Sequence, residues 1–432
     1  MIRLILLLIA FIFINNCSLN ENSRIWTEND NDLSTKPNIK KVFEKDELIE
    51  IEFNQDLKLD LSKIKTKKKI IENFNNPGSQ SFSGELNKFA TYKFSKLEEI
   101  NQLNFKPIFL PNGLIFFDKK GSIIRYDENQ KVLWKKNHYS KSEKKLYPKL
   151  NFILHKNNIL VSDSIAKYYS VNLETGDLNW SKNNVYPFNS EIKKYKNKFF
   201  VVDYKNTLRC YFIEDGSECW NLQTEDSFTV SNSKFSLLIV DDMIIFNNSI
   251  GDITAVNYEN GMIAWQLPTQ SSNIINETYN FKTSKLISDG NSIYISNNKN
   301  EFYSIDAKTG NLNWKNEINS NVTPIIIGNL IISISNEGFM NVVDKDKGNI
   351  IRITDFFINY KKKKRKEIYP VGFAIGNKNL YLTNTDGKMI VGDLESGDII
   401  NIEKVSSNFV SKPFIFNNSL FLIRNGSIVQ YN

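Results

Sequence analysis

Five tryptophans close the same short phrase, and the phrase recurs every 38–49 residues. It reads Thr175-Gly176-Asp177-Leu178-Asn179-Trp180, Asp215-Gly216-Ser217-Glu218-Cys219-Trp220, Asn260-Gly261-Met262-Ile263-Ala264-Trp265 and Thr309-Gly310-Asn311-Leu312-Asn313-Trp314. A weaker copy ends at Trp134, and two copies that keep the glycine but lose the tryptophan follow at 348–352 and 397–401. A repeat of this length without a 3.6-residue apolar stripe marks a β-propeller or a β-solenoid.

Each unit has one grammar. Within 285–317 the breakers Asp289-Gly290-Asn291 and Asn297-Asn298-Lys299-Asn300 separate short alternating runs, and a turn ending at Gly310 leads into the last of four strands. Asp306 is placed to accept hydrogen bonds from that turn, and Gly310 to take its left-handed position. Trp314 then falls on an outer strand, where an aromatic of about 150–250 Å² has room to bury against the next blade. Trp134, Trp180, Trp220, Trp265 and Trp314 are therefore read as blade-docking residues. Three strands follow Val405, and an unpartnered strand at 88–96 precedes the first unit, with Tyr92 or Phe94 expected in the tryptophan's place. Pairing that strand with the last three closes a ring of eight blades. The expected fold is all-β, an eight-bladed propeller over residues 85–432.

Ahead of the repeats, Arg3 and the unbroken apolar run 4–14 read as an export signal. Eleven residues make a helix of about 16 Å, short of a bilayer core of about 30 Å. Cys17 follows at once. The arrangement resembles the bacterial lipoprotein signal, which makes 1–16 the signal peptide and Cys17 the acylated, palmitate-bearing residue. Ser18, rather than Asp, follows that cysteine, and the resemblance then implies the outer membrane, periplasmic face. Residues 17–84 are polar and charge-mixed and read as a lipidated tether. The net charge of +7 comes without any nucleic-acid-binding motif, so no nucleic acid is expected.

The pattern Ser304-Ile305-Asp306-Ala307-Lys308-Thr309-Gly310 through Trp314 resembles the repeat of the pyrroloquinoline-quinone-type propellers. With eight blades, this length and a lipoprotein-like start, the chain resembles the BamB-like lipoproteins of the outer-membrane β-barrel assembly machine. The resemblance implies a non-enzymatic scaffold that binds the POTRA domains of the barrel-forming subunit through two inter-blade loops. By alignment on the repeat glycines those loops fall near 226–235 and 275–285. Thr229, Asn232, Asn280, Phe281 and Lys282 are the residues implied to contact the partner. Asn280 and Lys282 stand where the family carries acidic residues, and Asn232 where it carries a basic one. Blade edges, as strand-addition surfaces, make unfolded outer-membrane proteins a further expected partner.

Quinone-dependent dehydrogenases share this repeat and form the competing class; another envelope complex is the competing partner. Neither a Cys-Cys pair nor a Cys-x-x-Cys-His motif is present, and the chain has only His138 and His155 as histidines. No metal and no cofactor are expected. Cys210 and Cys219 flank the turn 213–216. A four-residue loop places them opposite one another, as a disulfide requires, whereas a three-residue loop sends them to opposite faces. The run Lys361–Lys366 is six consecutive basic residues. It reads either as a solvated loop or as an electrostatic contact with anionic lipid or an acidic partner.

Overall fold

The repeat phrase folds as a tight turn followed by a bulge. In the computed structural model, which describes residues 51–62, 72–96, 105–225, 234–269, 281–407 and 409–432, the Asp306 carboxylate accepts the main-chain N–H groups of Lys308 and Thr309 at 3.0 and 2.7 Å. The Gly310 N–H donates to the Asp306 carbonyl at 2.9 Å, with Gly310 at φ +76°. Gly176, Gly216, Gly261, Gly348 and Gly397 repeat that bond and that left-handed conformation. One residue before each tryptophan the outer strand bulges, so that Trp180, Trp265 and Trp314 pair with Ser170, Ala255 and Ser304 while their predecessors are left over.

Strand alternation does the rest. Runs such as Phe199–Val202 and Ile293–Ile295 are buried on both faces, because each sheet is covered by a neighbour on either side. The described residues form eight four-stranded antiparallel sheets. Seven are simple meanders spanning 108–136, 150–183, 193–223, 237–267, 287–316, 325–355 and 370–404, here blades 1 to 7. Blade 8 takes three strands from 414–431 and a fourth, Lys88–Lys93, which pairs antiparallel with Ser427–Tyr431. The first strands of neighbouring blades touch one another and so line the axis. Helix is limited to the single turn Lys362–Arg365 and two 3₁₀ turns among the described residues. The fold is an eight-bladed β-propeller.

Each blade is locked to the next by a wedge. The indole N–H groups of Trp134, Trp180, Trp220, Trp265 and Trp314 donate to the carbonyls of Leu173, Ile213, Tyr258, Ala307 and Lys345 at 2.9–3.3 Å. Those carbonyls belong to the turn of the following blade. A Cβ on the glycine of that turn would come within 2.5–2.7 Å of the indole in all five cases, so the glycine is needed twice over. In blade 6, Arg352 takes the tryptophan's register and donates to the carbonyls of Leu394 and Glu395 in blade 7.

Two expectations are corrected. The pairing of Lys88–Lys93 leaves Phe89 as the bulge and gives the wedge register to Ala90, opposite Gln430, not to Tyr92 or Phe94. The described parts of the segment read as a tether are docked on the wheel. Phe53 pairs with Ile353, Leu59 is buried against blades 6 and 7, and the Leu57 carbonyl accepts from Arg352. Asn75 donates to the carbonyls of Leu237 and Leu286, and Phe82 is wholly buried. Isolated apolar residues in polar surroundings carry this docking, which is why composition pointed to a tether. The signal segment and Cys17 lie outside the described residues.

Candidate functional site

Of the residues implied to contact a partner, Thr229, Asn232 and Asn280 lie outside the described residues. Phe281 is buried, its ring set against Gly251, where an added Cβ would meet it at 2.6 Å. It anchors the end of its loop. Lys282 is exposed; its N–H donates to the Asn298 side chain and its carbonyl accepts from the Asn298 N–H. One apolar anchor and one exposed lysine therefore mark the entry to blade 5.

The axis carries a cluster that sequence reasoning missed. Ser190, Ser284 and Ser411 each accept a strand N–H on the hydroxyl and donate to the following carbonyl, which fixes Glu191, Lys285 and Lys412 at equivalent places ahead of the innermost strands. Lys285 meets Glu191 at 2.9 Å and Lys193 lies 3.9 Å from it. The Lys193 ammonium also donates to the Glu72 carbonyl and the Asn75 side chain, which tie the 72–76 segment to the axis. Lys234 donates to Asn151 and stands 3.2 Å above the Phe105 ring.

Charge at this place is cationic. Burial works against ionising Glu191, yet the ammonium groups of Lys193 and Lys285 hold its carboxyl down to about 2. Burial pushes Lys193 down to about 8, and Lys412 to about 7 with Lys285 adding to the effect. A serine followed by a charged residue two positions ahead of a strand was the available signal. It is faint in a chain with 55 Lys and Arg residues.

This donor set bears on the dehydrogenase reading. A calcium ion takes several oxygen ligands, among them carboxylates and carbonyls. Here the axial carboxylate of Glu191 is already engaged by two ammonium groups, and no group of three His, Cys, Asp or Glu sits close enough to hold a metal among the described residues. The described axial carboxylate is thus ion-paired rather than open to a calcium ion. His138 Nε2 lies 3.0 Å from the Gly176 carbonyl, and burial lowers its pKa. It is part of the seam between blades 1 and 2.

Cys210 and Cys219 are both thiols in this structure. Phe212 and Ser217 do close the four-residue loop, but the bulge then shifts the register. Cys210 pairs with Trp220, and Cys219 is the extra residue. Directly opposed cysteines are thus corrected to a cysteine facing a bulge. The two side chains still touch: burial raises the Cys210 thiol, and a hydrogen bond with Cys219 adds to it. In the basic run, Arg365 is held by a bidentate pair with Asp355 at 2.7 and 3.0 Å, and Lys361 to Lys364 are exposed.

Comparison with known proteins agrees with this architecture. The family model described as outer membrane protein assembly factor BamB matches residues 119–354. An uncharacterized protein of Rickettsia conorii is 22% identical over 379 residues, covering 82% of this chain and 88% of that one. A second, from Rickettsia prowazekii, is 20% identical over 349 residues, covering 75% and 81%. Among solved structures, BamB from Moraxella catarrhalis is similar with a TM-score of 0.63 at 15% identity, covering 80% of this chain and 99% of that one. A europium-containing methanol dehydrogenase gives 0.61 at 10%, covering 80% and 86%. At these identities the structural likenesses establish the fold alone. With eight blades in phase and the family model spanning more than half of its length, the chain belongs to the family of the outer membrane protein assembly factor BamB.

Proposed function

We propose that the protein is a non-enzymatic scaffold of the outer-membrane β-barrel assembly machine. It sits at the periplasmic face of the outer membrane, anchored by lipid on Cys17. In this reading the wheel binds the POTRA domains of the barrel-forming subunit through its inter-blade loops. Thr229, Asn232, Asn280 and Lys282 make the contact, and Phe281 holds its loop in place. The observation that carries the reading is the family match over 119–354, on a body whose blades are pinned by indole wedges. A rigid body presenting loops suits recognition, because binding then orders few groups. Unfolded barrel proteins are proposed as second partners, pairing with outer blade strands by strand addition. Lys361 to Lys364 are proposed to add a salt-sensitive contact with anionic lipid or an acidic partner.

The axial ammonium cluster favours this reading over a quinone-dependent dehydrogenase, whose metal it does not suit. Affinity purification of the native protein from membranes is the test. Co-purification of the barrel-forming subunit, lost on replacing Lys282 and the 275–280 loop, supports the proposal. Consistent recovery of a different envelope complex instead would assign the wheel to that complex.

A further inference from the structure

Seven of the eight seams between neighbouring blades are filled at the turn end by a large side chain. Five hold the tryptophans described above and the sixth holds Arg352. The seam between blades 7 and 8 is filled differently. There a separate extended segment delivers Phe82, whose ring lies 5.2 Å from Tyr381 and whose carbonyl accepts the Asn377 N–H at 2.9 Å. At the last seam, between blades 8 and 1, the wedge register holds only Ala90. The turn that faces it matches this loss: Gln130, at φ +65°, stands where the other turns need glycine.

The surroundings of the missing wedge persist. Phe421, Phe109 and Leu114 are the register counterparts of Tyr294, Ile326 and Ile331, which belong to the cluster on which Trp314 packs. Phe109 leans across to Phe421, with ring centroids 4.7 Å apart, and covers part of the gap. What is left is a cavity of about 220 Å³, lined by these three residues and by Phe89, Gln430 and Glu128. It is far larger than one water needs and smaller than a drug-sized pocket. Phe89 stands 65% exposed at its rim.

We propose that this seam is a binding site for an aromatic side chain of a partner polypeptide, presented on an extended segment next to a basic residue. The rings of Phe89, Phe109 and Phe421 in the lining offer stacking and edge contacts to one aromatic group. Gln430 and Glu128 offer acceptors at its polar edge. Charge favours a cation beside the ring: Glu128 lines the cavity, and after burial it is the Asp127 and Glu128 carboxylates that raise the pKa of the Tyr92 hydroxyl there. Phe82 supplies the precedent within the molecule, an aromatic brought to a seam by a segment that is not part of the blade. The site is independent of the scaffold role proposed above and of its loops.

Titration calorimetry of the full chain with two blocked peptides tests this. One is acetyl-Gly-Lys-Ser-Trp-Thr-Gly-amide and the other carries alanine for tryptophan. The tryptophan peptide is expected to bind at least about tenfold more tightly. Ala90→Trp, which fills the gap from within, and Phe89→Ser, which strips the rim without touching the core, should each weaken it at least about tenfold. Equal binding of the two peptides, or binding that survives both substitutions, overturns the proposal. Dimerisation removed by the same substitutions, with no peptide bound, also overturns it and assigns the seam to a second copy of this chain. Exchange of the peptide's lysine for glutamate should weaken binding; indifference would remove the basic neighbour from the proposal.

Discussion

The indole of Trp314 and the glycine at Gly348 occupy one another's space: a Cβ on Gly348 would sit 2.6 Å from the ring, and the same ring donates its N–H to Lys345 at 2.9 Å. Gly348→Ala therefore suffers twice, from a left-handed backbone that costs a side chain about 1–2 kcal/mol and from a displaced wedge. A loss of about 2–4 kcal/mol is expected in urea denaturation. Gln130→Gly in blade 1, where no indole lies against the turn, should change stability by less than about 1 kcal/mol and in the favourable direction. Equal effects at the two positions would show that the wedge does not set the glycine requirement.

Arg352 makes a second comparison. Its guanidinium is fully buried and donates to the carbonyls of Leu57, Leu394 and Glu395, so it joins two blades and the 53–61 segment at one point. Arg352→Leu takes that donor from the carbonyls of Leu57 and Leu394, while Glu395 keeps the Leu59 N–H, at a cost of about 3 kcal/mol. It should also release the segment, seen as new protease cleavage near Leu57. Trp314→Leu should destabilise the wheel without opening that cleavage site, because Trp314 does not touch the segment.

The propeller was legible because a phrase of glycine and tryptophan, repeated in phase, can only be satisfied by equivalent surroundings. What the phrase hides is register. The bulge before each tryptophan leaves no mark on the spacing, yet it moves Cys210 from Cys219 to Trp220 and gives Ala90, not Tyr92, the wedge position. The axial lysines were hidden for a different reason. Glu191, Lys285 and Lys412 are each one charged residue after a serine, and only the circular arrangement gathers Lys285, Lys412 and Lys193 about Glu191. Docking of Phe53 and Leu59 rests on single apolar residues, too few for any periodicity to reveal.

Cys219, as the bulge residue, lies over Cys210 in the way that Asn179 lies over Ser170, to which it donates at 3.0 Å. That contact suits a bond between the sulfurs once an oxidant is supplied. Exported protein, labelled with a thiol reagent after unfolding, is expected to show Cys210 and Cys219 blocked until reduction. The loop closed is short, so the gain should be about 2 kcal/mol or less. Labelling of both residues without reductant would leave the pair as packed thiols.

Lys412 links the axis to pH. Burial, with Lys285 next, pushes its pKa to about 7, against about 10.4 in an unfolded chain. Glu191 acts the other way, while Lys106 and Lys193 reinforce the depression. The folded state thus binds fewer protons than the unfolded one between those two values, and this group's contribution to stability rises with pH across that window. It is fully present above about 10.4 and lost as pH falls through 7. Lys412→Met removes the buried ammonium. At pH 6 the variant should be more stable than the native chain by about 1–3 kcal/mol, the range reflecting water that reaches the axis. By pH 10 the difference should shrink towards zero, while the slope left in the variant includes Lys193, lowered to about 8, and Lys194 and Lys234, which burial lowers as well. Melting temperatures at pH 6, 8 and 10 distinguish the cases: a constant offset between variant and native protein would mean that Lys412 keeps its proton throughout, and that the axis is wetter than its packing implies.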